Sequence, residues 1–330
     1  MEAFLRLLST PNTLSRPVLC GALAAAAAAA LLFLRARRRA AAAAALSHAT
    51  ILIAGASQGI GAALARRLSA RYPHARLVLS ARSAPLLAAL AAELQAGRPG
   101  EVLARAADFT DGAAVAALAR EVERCVGDGG GADVVVMCAG VGSWRAIYER
   151  GPGGATPEGT CAALGAPLAA ALHAAAAVLP GQLARRRGRF LLLQSPASRA
   201  PWPGATAYAA ARWGLRGAAA ALRVDLAASG VRGVSATEVV LTEVASDYFV
   251  NNPGSHERLP SIAPLFGKLS VEGAAACVED ALLSGEAVAV YPAALRWGLA
   301  SLWLPGAEAA FRALLVRTGW AWAGPLGAAA

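Results

Sequence analysis

Short apolar runs alternate along most of this chain with long alanine-rich stretches. The runs Thr50–Ala54, Arg76–Ser80, Val102–Ala106, Asp133–Cys138, Arg189–Gln194, Gly233–Thr237 and Ala287–Tyr291 are bounded by Gly, Asp or Ser and predict strands. The stretches between them predict helices, although alanine is helical almost anywhere and blurs which face of each helix is buried. This alternation predicts an α/β fold: a doubly wound parallel sheet of about seven strands covered by helices on both faces. Asn251 to Lys268 breaks the pattern with Pro253, Gly254, Pro260 and Pro264, and is expected to form a long loop over the site.

Both ends differ from the middle, which divides the chain into residues 1–46, 47–292 and 293–330. Val18 to Leu34 is an unbroken apolar run of 17 residues closed by Arg35, Arg37, Arg38 and Arg39. That length is at the lower edge of what crosses a hydrocarbon layer ~30 Å thick. As an N-terminal apolar helix it would be a membrane anchor, with the positive flank holding the main domain on the cytosolic side. A transit peptide is the alternative, because Glu2 is the sole acidic residue among the first 90. The end of the chain predicts a helical extension. It holds Trp297, Trp303, Trp320 and Trp322 among leucines, alanines and spaced arginines, suited either to a membrane interface or to packing on the domain or a second subunit.

Composition narrows the function classes. Of the 330 residues, 57% are apolar and 16% charged, so a large core and membrane contact are both open. The net charge of +10 does not point to nucleic acid, because its arginines are mostly scattered singly and Lys268 is the only lysine. Five cysteines without paired spacing suit reduced thiols, and the dispersed histidines predict no metal site.

The first chemical motif is Ala54–Gly61, AGASQGIG, which follows the first predicted strand and opens a helix. Glycines at 55, 59 and 61 allow a backbone to approach a pyrophosphate at a helix N-terminus, where unpaired N–H groups and the helix dipole face the anion. The expected fold is thus Rossmann-type, with Gly55, Ser57, Gln58, Gly59, Ile60 and Gly61 around the phosphates. After the second strand Ala81 stands where an acidic residue would select NAD(H), and Arg82 follows it. An arginine there suits the 2′-phosphate of NADP(H), which is the expected cofactor.

The spacing GxxxGxG resembles the TGxxxGxG signature of short-chain dehydrogenases/reductases, with Ala54 in place of threonine. The resemblance extends over about Ala49 to Tyr291. It implies that Asp108 contacts adenine, that Ala139 and Gly140 of MCAG let adenosine approach, and that Thr242 meets the nicotinamide carboxamide. It also implies a catalytic set. Tyr208 lies thirteen residues after Ser195, and Arg212 stands one helical turn further on, in the place of the family lysine. Tyr208 would exchange a proton with the substrate oxygen, Ser195 would hold that oxygen, and a neighbouring cation would favour tyrosinate. Tyr208 and Arg212 would also touch the cofactor.

Three departures stand out. Arginine is not a conservative exchange for lysine at a tight site. No asparagine lies between Gly142 and Gln194, and Thr237–Glu238 replace the family's Pro-Gly after the sixth strand. The two unusual ends are similar to the membrane-bound branch of the family, which includes steroid and retinol dehydrogenases, 3-ketosphinganine reductases and the dehydrogenase/reductase member-seven group. That likeness implies interconversion of a lipophilic ketone and a secondary alcohol at a membrane. It implies the endoplasmic reticulum with the catalytic domain facing the cytosol, and a homodimer among the expected assemblies. Val244–Leu265, with Tyr248, Phe249 and Ile262, and Phe266 just beyond, would wall an apolar substrate site. The departures support a rival expectation: an impaired, dinucleotide-binding pseudoenzyme with a scaffolding or redox-sensing role.

Overall fold

A computed structural model describes residues 15–127, 129–140, 156–202, 204–248 and 262–317. The chain begins with helix α1 (Ser15–Leu46), continuous because its alanines favour helix throughout. Its side chains are exposed from Cys20 to Arg38, including Leu31, Leu32 and Phe33. Its last turns enter the domain, where Ala42 and Leu46 are buried and Arg39 pairs with Asp280.

The elements then alternate: β1 (Thr50–Ala54), α2 (Gly59–Arg71), β2 (Arg76–Ala81), α3 (Ala84–Gln95), β3 (Val102–Ala106), α4 (Gly112–Val126) and β4 (Val134–Met137). There follow α5 (Pro157–Leu164), a π-helical turn (Gly165–Ala169), α6 (Ala170–Ala184), β5 (Gly188–Gln194) and α7 (Thr206–Ala228). The widened turn contains Pro167, which offers no N–H to the helical ladder. The chain continues through β6 (Val234–Leu241), β7 (Val244–Ala245), α8 (Ala263–Phe266), β8 (Leu269–Ser270) and α9 (Val271–Ser284). It ends in β9 (Val288–Tyr291), α10 (Ala293–Ser301) and α11 (Ala307–Arg317).

Seven strands form one parallel sheet in the order β3-β2-β1-β4-β5-β6-β9, as the alternation predicts. The order reverses between β1 and β4, and ligands of such sheets bind in the crevice beyond the carboxyl ends of those strands. One face carries Ile51, Ile53, Leu77, Leu79 and Val136 against α2, α3 and α9. The other carries Leu52, Val78, Val135, Phe190 and Leu192 against α4, α6 and α7. Phe190 is 1% exposed at the centre of the second layer. Phe190→Ala should lower unfolding stability by ~3–5 kcal/mol in denaturant titration, the usual result of emptying a phenylalanine site.

One strand differs from expectation. β6 runs on to Leu241 instead of ending at Thr237, so Thr237 and Glu238 lie inside the sheet opposite Leu191 and Leu192. They are therefore not the residues after the sixth strand; Thr242 is. A carboxylate suggests a strand end because burying it alone is costly, but here two guanidinium groups meet it. In the expected loop of residues 251–268, Ala263–Phe266 is a helical turn and Ile262 is buried; 251–261 lie outside the described residues, as do Phe249, Trp320 and Trp322.

Among the described residues, two helical stretches are long and apolar enough to cross a membrane. They are Cys20–Leu46, exposed over its most apolar part, and Pro157–Ala184. The second is built into the fold, with Ala170, Ala171, Ala174 and Val178 packed between α4 and the sheet. At the other end, Leu295 and Leu299 of α10 are buried with Val240, Ile262 and Val290.

Candidate active site

The glycine loop requires backbone conformations and approaches that side chains forbid. Gly55 has φ +82° and its N–H donates to Ser80 O at 2.7 Å, turning the chain sharply at the end of β1. A Cβ there would lie 2.7 Å from the backbone nitrogen of Ala139. A Cβ on Gly61 would lie 2.1 Å from Gly55 O, so α2 can start against this turn only with glycine at both places. Gln58 precedes α2 with no side-chain cap, leaving the first-turn N–H groups facing outward for an anion.

This loop lines a cleft of about 380 Å³ at the sheet's switch point. Gly55, Ser57, Gln58, Gly59, Ile60 and Gly61 meet Arg82, Asp108, Ala139 and Gly140 there, which brings together ten of the residues expected around the dinucleotide. Arg82 is exposed at the far end of β2. The Asp108 carboxyl accepts from Thr110 N at 2.9 Å and Thr110 Oγ1 at 2.7 Å. Those bonds, then the nearby Arg82 charge, hold it below the usual carboxylate range.

A second, inner pocket of about 200 Å³ shares Ile60, Cys138, Gly140 and Tyr248 with this cleft. Ser195, Tyr208, Arg212 and Thr242 line it, so the expected catalytic set and the remaining expected cofactor contact stand together at the inner end. Ser195 caps a short 3₁₀ turn (Pro196–Ser198), its Oγ accepting from Ala197 N at 3.3 Å. Tyr208 is 5% exposed in the first turns of α7, packed by Ala197, Ala205, Trp202 and Tyr248. Arg212 follows on the same helix face, its Cζ 4.9 Å from the Tyr208 ring centroid. Its Nη1 donates to Leu193 O at 2.8 Å, while its buried Nε has no hydrogen-bond partner among the described residues. The Thr242 hydroxyl donates to Gly267 O at 3.2 Å.

Several lining residues escaped the motifs. Cys138 sits where the two pockets join, and burial pushes its thiol up to about 12, so it stays protonated. Gln194 precedes Ser195, and Trp202 lies between Ser195 and Tyr208 in sequence, a spacing that was the available signal. Glu243 also lines the inner pocket and pairs with Lys268 at 2.9 Å. Where the helix between β4 and β5 reaches the outer cleft it presents Ala166 and Ala170, with no amide side chain.

These residues fit a nicotinamide dinucleotide: the cradle tolerates no Cβ at Gly55 or Gly61, and a buried guanidinium nitrogen of Arg212 has no acceptor among the described residues beside Tyr208. A cleft of dinucleotide shape running into a serine–tyrosine–cation pocket is the arrangement expected of the short-chain dehydrogenase/reductase fold. The sequence model described as short chain dehydrogenase matches residues 49–252, and the chain belongs to that family.

A glycine betaine reductase of Emericella nidulans is 31% identical over 194 residues, covering 57% of this chain and 14% of the relative. A 2,3-dihydroxy-2,3-dihydro-p-cumate dehydrogenase of Pseudomonas putida is 30% identical over 168 residues, 49% of this chain and 63% of the relative. The chain thus spans less than two thirds of either relative. A metagenomic short-chain oxidoreductase solved in complex with NADP is 27% identical, with a TM-score of 0.57 over 74% of this chain and 96% of that one. Solved structures of this fold hold either NADP or NAD.

Proposed function

We propose that the protein is an NADP(H)-dependent oxidoreductase that interconverts a lipophilic ketone and a secondary alcohol at a membrane. The observation that carries this reading is the meeting of Ser195, Tyr208 and Arg212 in the inner pocket of a cleft that has Arg82 at its outer end. Bound there, the dinucleotide would supply or accept the hydride. Gly55–Gly61 would hold its phosphates, Arg82 its 2′-phosphate, and Arg212 and Thr242 its nicotinamide end. Tyr208 exchanges a proton with the substrate oxygen, and Ser195 donates a hydrogen bond to that oxygen.

The substrate class follows from the walls. Leu193, Trp202, Leu241, Val244 and Ile262 are apolar, Glu243 is paired with Lys268, and the described lining residues hold no cation cluster for an acidic substrate. Membrane attachment is supported by the exposed apolar length of α1 and by Trp297 and Trp303, 75% and 74% exposed on and just after α10. With Arg35 to Arg39 following the apolar run, the domain faces the cytosol, in the endoplasmic reticulum on this reading.

The deciding experiment is NADPH oxidation by the purified full chain in detergent, with 3-ketosphinganine, retinal and steroid ketones. Turnover with at least one ketone is expected, faster with NADPH than with NADH; no oxidation with any of them would remove the proposal. Arg82→Ala should weaken NADPH binding by about 10- to 100-fold, the value of charge-assisted hydrogen bonds to a phosphate, and leave NADH unchanged. Fluorescence titration with both dinucleotides checks this.

One observation favours the pseudoenzyme reading: the guanidinium of Arg212, standing in the place of the family lysine, is engaged with Leu193 O and the Tyr208 ring. Under that reading NADPH binds without turnover, and Arg212→Lys does not create any.

A further inference from the structure

We infer that Glu238 is a positioning residue that fixes the distance between the end of β5, where Ser195 follows, and the helix carrying Tyr208. The inference rests on the reading of that pair as the reacting groups. Glu238 is fully buried in the middle of β6, where a parallel sheet ordinarily takes an apolar side chain. Its Oε2 accepts from Arg199 Nη2 at 3.1 Å and its Oε1 from Arg223 Nη2 at 3.1 Å. Gln194 Nε2 lies 3.5 Å from Oε2 and donates to Arg212 O at 3.2 Å.

Each of these partners leads to the catalytic set. Arg199 Nη1 donates to Ser198 Oγ at 2.9 Å, and Ser198 Oγ donates to Ser195 O at 2.7 Å. Arg223 belongs to α7, which carries Tyr208 and Arg212. Gln194 ends β5 next to Ser195 and grips the α7 backbone at Arg212. One buried carboxylate thus draws three separate segments together: the end of β5, the turn after it, and α7. Arg216 Nη1 adds a further bond from α7 to Ser198 O at 3.3 Å. An ordinary apolar side chain at 238 would pack the layer but could not set this spacing. The chemistry is sensitive to that spacing, since a 1 Å misplacement of reacting groups is worth about 10²-fold in rate.

Removing one partner of a buried ion pair also destabilises a fold, so the test needs variants that separate the two effects. Glu238→Asp keeps the charge but withdraws the carboxylate by one methylene. Glu238→Leu combined with Arg199→Leu removes one of the two pairs and leaves Arg223, whose side chain is 25% exposed, to solvent. Each is measured in the full chain for thermal stability, NADPH affinity, steady-state turnover with the fastest ketone, and hydrogen exchange. Both variants should fold and keep most of their NADPH affinity, because Glu238 does not line the cleft that holds Gly55–Gly61.

Turnover should fall by about 10²-fold in kcat, with exchange at residues 195–199 accelerated and at 55–61 unchanged. Parental turnover in the double variant, or unchanged exchange at 195–199 in Glu238→Asp, would overturn the inference and leave Glu238 as a packing residue. Tyr208→Phe run alongside separates the two levels. If it retains full turnover, the proposed chemistry fails; if it loses turnover and the Glu238 variants do not, only the present inference fails. Should no ketone turn over, hydrogen exchange alone decides the role of Glu238.

Discussion

Tyr208→Phe is expected to cut turnover by about 10²- to 10⁴-fold, the contribution of a positioned general acid–base group. NADPH binding should remain. The phenol is nearly enclosed by Ala197, Trp202, Ala205 and Tyr248, and loss of one oxygen leaves that packing intact. Arg212 stays tied to Leu193 O and would still stack on a phenylalanine ring, so its position is not at stake. Single-turnover kinetics with NADPH and the best ketone, beside a binding titration, make the check. A loss of binding equal to the loss of rate would mean that Tyr208 holds the cofactor rather than the proton.

Gly61→Ala should abolish useful dinucleotide binding, weakening it by about 100-fold or more, since two charge-assisted hydrogen bonds to phosphate are worth that much. The added methyl group would fall 2.1 Å from Gly55 O and 3.1 Å from Ala56 Cα, both backbone atoms that no rotamer change can move. Either α2 shifts away from β1 or the turn opens, and both displace the first-turn N–H groups. Overpacking of this kind also lowers stability, by ~1–3 kcal/mol. A melting curve and a fluorescence titration on the same preparation separate the two losses. Gly217→Ala in α7, where a Cβ meets nothing within 4 Å, is the control that should leave binding unchanged and raise stability by up to ~1 kcal/mol.

The legible parts of this protein are those where backbone geometry dictates residue type. The glycine loop could be read because turn and helix contact exclude side chains at fixed positions, and six of the seven strands could be placed nearly to their ends by their apolar runs. Ser195 and Tyr208 were legible as a pair, because a strand end and a helix start keep the same separation in sequence. Glu238 was not. Its partners lie 39 and 15 residues away in sequence, and a lone acidic residue in an apolar run gives no sign of two arginines that will neutralise it. The same gap cut β6 short and misplaced the residues that follow it. Alanine hid the helix faces as well, so burial of α6 between α4 and the sheet, despite a composition fit for a membrane, emerged only from packing.

The junction between α1 and the domain has a mechanical consequence. Ala42 and Leu46 are seated in the core, and Arg39 holds Asp280, which in turn accepts from Tyr291 Oη at 2.5 Å at the end of β9. No flexible leash separates the exposed apolar part of α1 from the body. The helix is a rigid shaft of 32 residues, ~48 Å long, and the domain rides on its end like the blade of a key. Whatever grips the outer part of the shaft therefore sets the compass bearing of the inner pocket as well as its distance. One extra alanine in the exposed stretch would turn that bearing by ~100°, and two turns' worth would restore it.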